Sequence, residues 1–193
     1  MFEYIRAKTI EVNPAFAIME TAGIAYFINI SLNTYSILKE GNEHTLYLHQ
    51  VIREDAHLLY GFSEKSEREL FRLLISVSGI GSNTARMMLS SLNTKDLKNA
   101  ILTGNVGLLQ SIKGIGLKTA QRIIIDLKDK VVKSESDGEN FVGKGNTERE
   151  EALSALVMLG FNKLAVEKNL DKIIQEDASL SIESMIKLAL KRL

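Results

Sequence analysis

Two stretches of this chain put Gly-Ile-Gly in front of a run that otherwise favours helix: SVSGIGSNTARMMLSSL from Ser76 and SIKGIGLKTAQRIIIDL from Ser111. Glycine inside a helix costs about 1 kcal/mol relative to alanine. Two glycines in three residues therefore mark a break, or a place where backbone must come close to something. The copies superimpose: Gly79 on Gly114, Gly81 on Gly116, Thr84 on Thr119, Ala85 on Ala120, Met88 and Leu89 on Ile123 and Ile124. Each reads as helix, tight turn, helix, with the isoleucine tucked between the helices. The turn leaves the first N–H groups of the second helix unpaired. Those donors and the positive helix end suit an anion such as a backbone phosphate. This pattern is the helix-hairpin-helix motif, and a tandem of two can hold phosphates along a duplex without reading bases.

The charge distribution supports this reading. Formal net charge is zero, with 24 basic and 24 acidic residues. Counted by segment, residues 1–62 carry −3, 63–133 carry +6, and 134–193 carry −3. The positive excess falls where both repeats lie. Lys118 and, one helical turn on, Arg122 can add charge beside the second turn; a solvated helix face is the other reading of each, and it weighs more for Arg122 than for Lys118. The counterpart of Lys118 in the first repeat is Asn83, which can donate a hydrogen bond but brings no charge.

Around this centre the pattern changes twice. Residues 1–62 read as strands. AFAIMETAGIAYFINIS is broken by Gly23 as a hairpin would be, Asn13-Pro14 marks an earlier turn, and HTLYLHQVI and AHLLYGF flank the turn REDA. A short helix fits NTYSILKEG, stopped by Gly41. About five short strands predict a small closed barrel of the OB type. After Gly61 the spacing of Leu70, Phe71, Leu74 and Ile75 predicts a helix capped by Ser63, with further helices near 82–91, 94–103, 105–112 and 117–132. KSESDGENFVGKGN has no periodicity and reads as a flexible linker over 134–146. Thr147 to Glu150 matches a capping box; EEALSALVMLGF, NKLAVEKNLDKII and SIESMIKLALKRL then form a small helical unit over 147–193. The expected fold class is multidomain α+β: an OB-like barrel, an all-α tandem helix-hairpin-helix domain, and a C-terminal three-helix domain.

Several classes are disfavoured. With no cysteine, neither a disulfide framework nor a thiolate metal site can form. MFEYIRAKTIEV carries Glu3, Arg6, Lys8 and Glu11 and does not read as a signal peptide. No run approaches the ~18 apolar residues of a membrane span. His44, His49 and His57 show no ligand spacing, so no metal or other cofactor is expected. GIGLKT lacks the first glycine and the spacing of a Walker loop.

With both repeats in view, the chain resembles the RuvA family of Holliday-junction recognition proteins along essentially its whole length. The resemblance rests on VIREDAHLLYGF at 51–62, ELFRLLISVSGIGSNTA at 69–85, SIKGIGLKTAQRIIIDLKDK at 111–130 and the closing ALVMLGF. It implies a DNA-binding protein without catalysis, cytoplasmic and homotetrameric. Its implied partners are four-way junction DNA, a RuvB-type hexameric ATPase motor and a RuvC-type resolvase. The implied contact set is Gly79, Gly81, Ser82 and Asn83 in the first hairpin, Gly114, Gly116, Lys118 and Arg122 in the second, and Arg53, which could as well form an ion pair with Glu54 or Asp55. Where the family usually has lysine in the first hairpin, this chain has Asn83. Glu54 and Asp55, read alone, are a solvated turn; the resemblance makes them an acidic pin at the junction centre. It also implies Leu156, Leu159, Phe161 and Leu190 as motor contacts, although all four could be core.

Two other readings stay open from the residues. A helix-hairpin-helix base-excision glycosylase would suit IKGIGLKTA, with Lys113 or Asp129 as catalytic group. A general DNA-binding scaffold would need only the hairpins.

Overall fold

The structure, a computed structural model, describes residues 2–139, 147–177 and 180–193. Two compact units divide the chain, Met1–Ser134 and Glu135–Leu193.

The first unit opens with a closed five-stranded barrel: β1 (Tyr4–Asn13), β2 (Phe16–Thr21), β3 (Ile24–Ile30), β4 (Glu43–Ile52) and β5 (His57–Phe62), in the order β1-β2-β3-β5-β4 with β4 pairing back to β1. All pairs are antiparallel except β3 with β5. Alternation drives closure. Ile5, Ala7, Ala17, Met19, Ile28, Ile30, Leu46 and Leu48 point inward as one apolar cluster, and closure leaves no strand edge unpaired. The helix expected over 33–41 is shorter: α1 (Leu32–Tyr35), with the Ser31 side chain accepting from the Thr34 N–H.

The helices follow as α2 (Lys65–Ile75), α3 (Ser82–Ser91), α4 (Thr94–Leu102), α5 (Val106–Gln110) and α6 (Leu117–Glu139). The sequence suggests Ser63 as the cap of α2, but it does not hold that position. Glu64 holds the cap position, and the Ser63 N–H donates instead to Thr34 Oγ1 at 3.0 Å. The expected boundary at 62/63 is not a gap between cores. Tyr60 and Phe62 of β5 belong to the apolar cluster of α2, α3, α4 and α6, with Phe71 against both rings at 5.1 and 4.9 Å.

Polar groups reinforce that junction. Glu67 on α2 is buried and accepts from Ser31 Oγ at 2.5 Å and Thr34 Oγ1 at 3.1 Å. Arg68, also buried, donates to the Glu3 carbonyl at 2.8 Å, pairs with the Glu3 carboxylate at 2.6 Å and lies over the Tyr47 ring. Asn33 Nδ2 donates to the Leu89 carbonyl at 2.6 Å and Arg86 Nη1 to the Ala15 carbonyl at 2.6 Å. A buried charge left unpaired is costly, so these pairings hold the barrel and helices in one register.

The linker expected from 134 is helical at its start, because α6 runs on to Glu139. Lys133-Ser-Glu-Ser-Asp137 contains neither glycine nor proline to stop it. The remainder of that segment, 140–146, lies outside the described residues, as does the Thr147 side chain on which the capping box depends. The second unit carries α7 (Thr147–Met158), α8 (Lys163–Glu176) and α9 (Ile182–Arg192) around Ala152, Leu156, Val166, Leu170, Ile173, Met185 and Ala189.

Candidate nucleic-acid interface

The two Gly-Ile-Gly turns have the same backbone. Gly79 and Gly114 adopt φ of +92° and +89°, a left-handed conformation costly for L-residues. Ile80 N–H then returns to the Val77 carbonyl at 3.0 Å and Ile115 N–H to the Ile112 carbonyl at 3.1 Å. Both isoleucines are buried. The first repeated hydrogen bonds of the following helices run from Ala85 N–H to the Gly81 carbonyl and from Ala120 N–H to the Gly116 carbonyl, each 2.9 Å. The N–H groups of Ser82, Asn83 and Thr84, and of Leu117, Lys118 and Thr119, have no acceptor among the described residues.

The second glycine of each turn needs another explanation. Gly81 sits at φ −86° and ψ 168°, open to any residue, and Gly116 is not in the left-handed region. A Cβ built on either would meet nothing within 4 Å. Neither conformation nor internal crowding demands glycine there. The bare backbone faces outward.

Other expected residues are placed unevenly around these turns. Lys118 and Asn83 are exposed in the first turns of their helices. Ser82 is buried, and its hydroxyl lies 3.1 Å from the Tyr60 hydroxyl, so the side chain serves the core and leaves only its N–H for a ligand. Arg122 Nη1 donates to the Ser78 carbonyl at 3.3 Å, linking the second hairpin's helix to the first hairpin's turn. Glu54 and Asp55 form the exposed tip of the β4–β5 loop, which the Arg53 N–H closes on the Ala56 carbonyl at 2.8 Å. Among the described residues neither acid has a hydrogen bond or ion pair, with Arg53 or anything else. β5 begins just past this tip, and Tyr60 at the first hairpin lies three residues along it, roughly 10 Å at strand rise.

Comparison with known proteins agrees along the whole chain. The profile described as RuvA N terminal domain matches residues 1–61, SAM-like Helix-hairpin-helix tandem matches 71–129, and RuvA, C-terminal domain matches 147–193. Proteins named Holliday junction branch migration complex subunit RuvA are similar over their full length and all of this chain: 52% identical in Christiangramia forsetii, 49% in Flavobacterium psychrophilum and 50% in Bacteroides fragilis. The chain belongs to the RuvA family. The glycosylase alternative has no support: Lys113 lies before α6, Asp129 is three turns along it, roughly 18 Å from its start, and both are exposed. Two of the three histidines make packing or polar contacts within the first unit, His44 Nδ1 2.9 Å from Thr9 Oγ1 and His49 against Phe71, while His57 is exposed. No group of three potential metal ligands occurs among the described residues.

In the C-terminal unit the four expected contacts separate. Leu156 is fully buried and is a core residue, not a surface one. Its position on α7 puts it against α8 and α9, where the small unit has few other side chains to fill its centre. Phe161 is half-buried on that core, while Leu159 and Leu190 are 63% and 43% exposed. Met158 and Leu164, which the sequence reading passed over, are 86% and 69% exposed beside Leu159 in sequence. Tyr60 was also missed. An apolar strand pattern gives no sign that one hydroxyl reaches a hairpin over 20 residues later.

Proposed function

We propose that this chain is the non-catalytic, junction-binding subunit of a Holliday-junction branch-migration complex, and that it holds DNA by backbone phosphates at its two hairpins. Each hairpin offers three unpaired N–H groups at a positive helix end. Lys118 and the free donors of Arg122 add charge at the second, and Asn83 adds a neutral donor at the first. The exposed Arg53, next to Glu54 and Asp55 in the chain, adds a further cation for DNA on this reading. What carries this reading is the pair Gly81 and Gly116: glycines with no need of their own to be glycine, at the two points where an external backbone would approach closest.

Family membership supports a homotetramer around an open four-way junction, with Glu54 and Asp55 of each copy near its centre. It supports a RuvB-type hexameric ATPase and a RuvC-type resolvase as partners, acting in the cytoplasm. No helix among the described residues is long and apolar enough to cross a membrane. The exposed Leu159 and Leu190, together with the half-buried Phe161, are the motor-facing candidates. The test is a gel-shift comparison of a four-way junction with linear duplex of equal base-pair content. Preference for the junction is expected; equal affinity would leave only a general DNA-binding scaffold.

A further inference from the structure

We infer that Tyr60 is a positioning residue for DNA binding, whose buried hydroxyl aims the Asn83 side-chain amide so that its N–H donors face the phosphate of the first hairpin. The inference rests on the reading of the hairpins as phosphate sites. Tyr60 is 1% exposed, its backbone is held between β3 and β4, and its ring packs on Phe71. The hydroxyl at the end of this fixed lever lies 3.1 Å from Asn83 Oδ1 and 3.1 Å from Ser82 Oγ. Asn83 stands in the first turn of α3, exposed, beside the unpaired N–H groups.

The hydrogen-bond chemistry selects an orientation. A tyrosine hydroxyl has one proton to give and can accept in return; a serine hydroxyl can do the same. The Tyr60 hydroxyl is the donor toward both Ser82 Oγ and Asn83 Oδ1; given to Asn83 Oδ1, its one proton ties the amide oxygen to the protein. Nδ2, with two donors and no other partner among the described residues, is then left facing outward. The reversed amide would present its oxygen to a phosphate, oxygen against oxygen. The second hairpin has no such lever, and at the matching position Lys118 is exposed and unpartnered among the described residues. An ammonium on a long stem attracts phosphate from any rotamer. A short neutral amide contributes only if it is pointed, and pointing it in advance lowers the ordering cost on binding.

The test is a double-mutant cycle on junction affinity in the full chain, with Tyr60→Phe, Asn83→Ala and the pair. Each single change should weaken junction binding roughly threefold to tenfold, and the pair should be no weaker than Asn83→Ala alone. The slope of log K against log salt should stay fixed in all three, because no charge is removed. Asn83→Lys should restore affinity and make Tyr60→Phe silent. Asn83→Asp, at an exposed position that does not threaten folding, still accepts from Tyr60 but presents an anion; it should bind worse than Asn83→Ala. A Tyr60→Phe cost as large on the Asn83→Ala background as in the wild type would reduce Tyr60 to packing and overturn the inference. So would a silent Asn83→Ala, or Asn83→Asp binding as well as Asn83→Ala. If those fail while Gly116→Val abolishes binding, the hairpin reading stands without this refinement; if Gly81→Val and Gly116→Val are both silent, the hairpin reading itself fails.

Discussion

Arg122 on α6 donates to the backbone carbonyl of Ser78, one residue before the left-handed glycine of the other hairpin, across 3.3 Å. The guanidinium has five N–H donors, and this bond engages one. A single residue can therefore fix the spacing of the two turns and still face a phosphate.

Two substitutions separate those roles. Arg122→Ala should lower junction affinity and flatten the slope of log K against log salt by about 0.9 per engaged copy. Arg122→Lys keeps the charge but not the fixed fork, so affinity should fall with the slope retained. Titration of a labelled junction at several salt concentrations reads both. An unchanged slope in Arg122→Ala would leave the residue as a tie between hairpins only.

The glycines predict a division between folding and binding. At Gly81 and Gly116 a methyl group meets open space, so alanine should cost the fold about 1 kcal/mol or less, the range of a changed helix N-cap. Both should nevertheless weaken DNA binding, and equally on duplexes of different sequence, since phosphate contacts carry no sequence information. Gly79→Ala and Gly114→Ala should instead lose roughly 1–2 kcal/mol of stability from the left-handed backbone alone. Thermal unfolding beside gel shifts distinguishes the pairs. Sequence-dependent loss at Gly81 or Gly116 would mean bases are read.

Glu67 gives the chain a pH dependence of known sign. Burial raises its carboxyl above the usual range, only partly opposed by hydrogen bonds from Ser31 and Thr34. The unfolded carboxyl ionises first as pH rises, so the folded state loses stability between the ordinary glutamate pKa, about 4.3, and the raised folded value. Glu67→Gln cannot ionise. The stability of the wild type relative to Glu67→Gln should therefore improve as pH is lowered through that window. Unfolding midpoints of both proteins across acid pH check it; a difference that stays flat would place the charge at no cost in the fold.

The elements that were legible from sequence are those whose signal is local. The hairpin turns show as glycines against a helical background, the barrel strands as alternation, and α2 as a run of apolar residues at helical spacing. Glu67, Arg68 and Tyr60 were not legible, because each is defined by a partner in another element: Ser31 and Thr34, Glu3, and Ser82 with Asn83. A charged pair in an amphipathic helix looks solvated until a second domain is laid over it. Leu156 failed for the related reason that a motif of apolar residues does not say which of them faces inward. The early linker failed because polar composition alone does not end a helix, and α6 runs on past even Gly138.

The acidic tip yields the sharpest prediction. Glu54 and Asp55 are exposed, and among the described residues they are neutralised by nothing, Arg53 included. If the tip faces DNA, two unpaired carboxylates there gain nothing for a protein that binds a polyanion unless their repulsion has a use. Clustered at the centre of a fourfold assembly, they would form a like-charge field that disfavours a continuous duplex lying across the centre. An open junction, whose four arms leave that centre, would be spared. The field weakens as salt screens it, with a Debye length of about 8 Å near physiological ionic strength. Glu54→Gln with Asp55→Asn keeps shape and removes charge, and the loop closure through the Arg53 N–H and Ala56 carbonyl is backbone only, so the barrel should remain folded. Duplex affinity should rise, the ratio of junction to duplex affinity should fall, and the fall should be larger at low salt than at high. Measuring that ratio at two salt concentrations for wild type and double mutant decides the matter. A ratio unchanged at low salt, where the field is least screened, would make the pair an ordinary solvated turn.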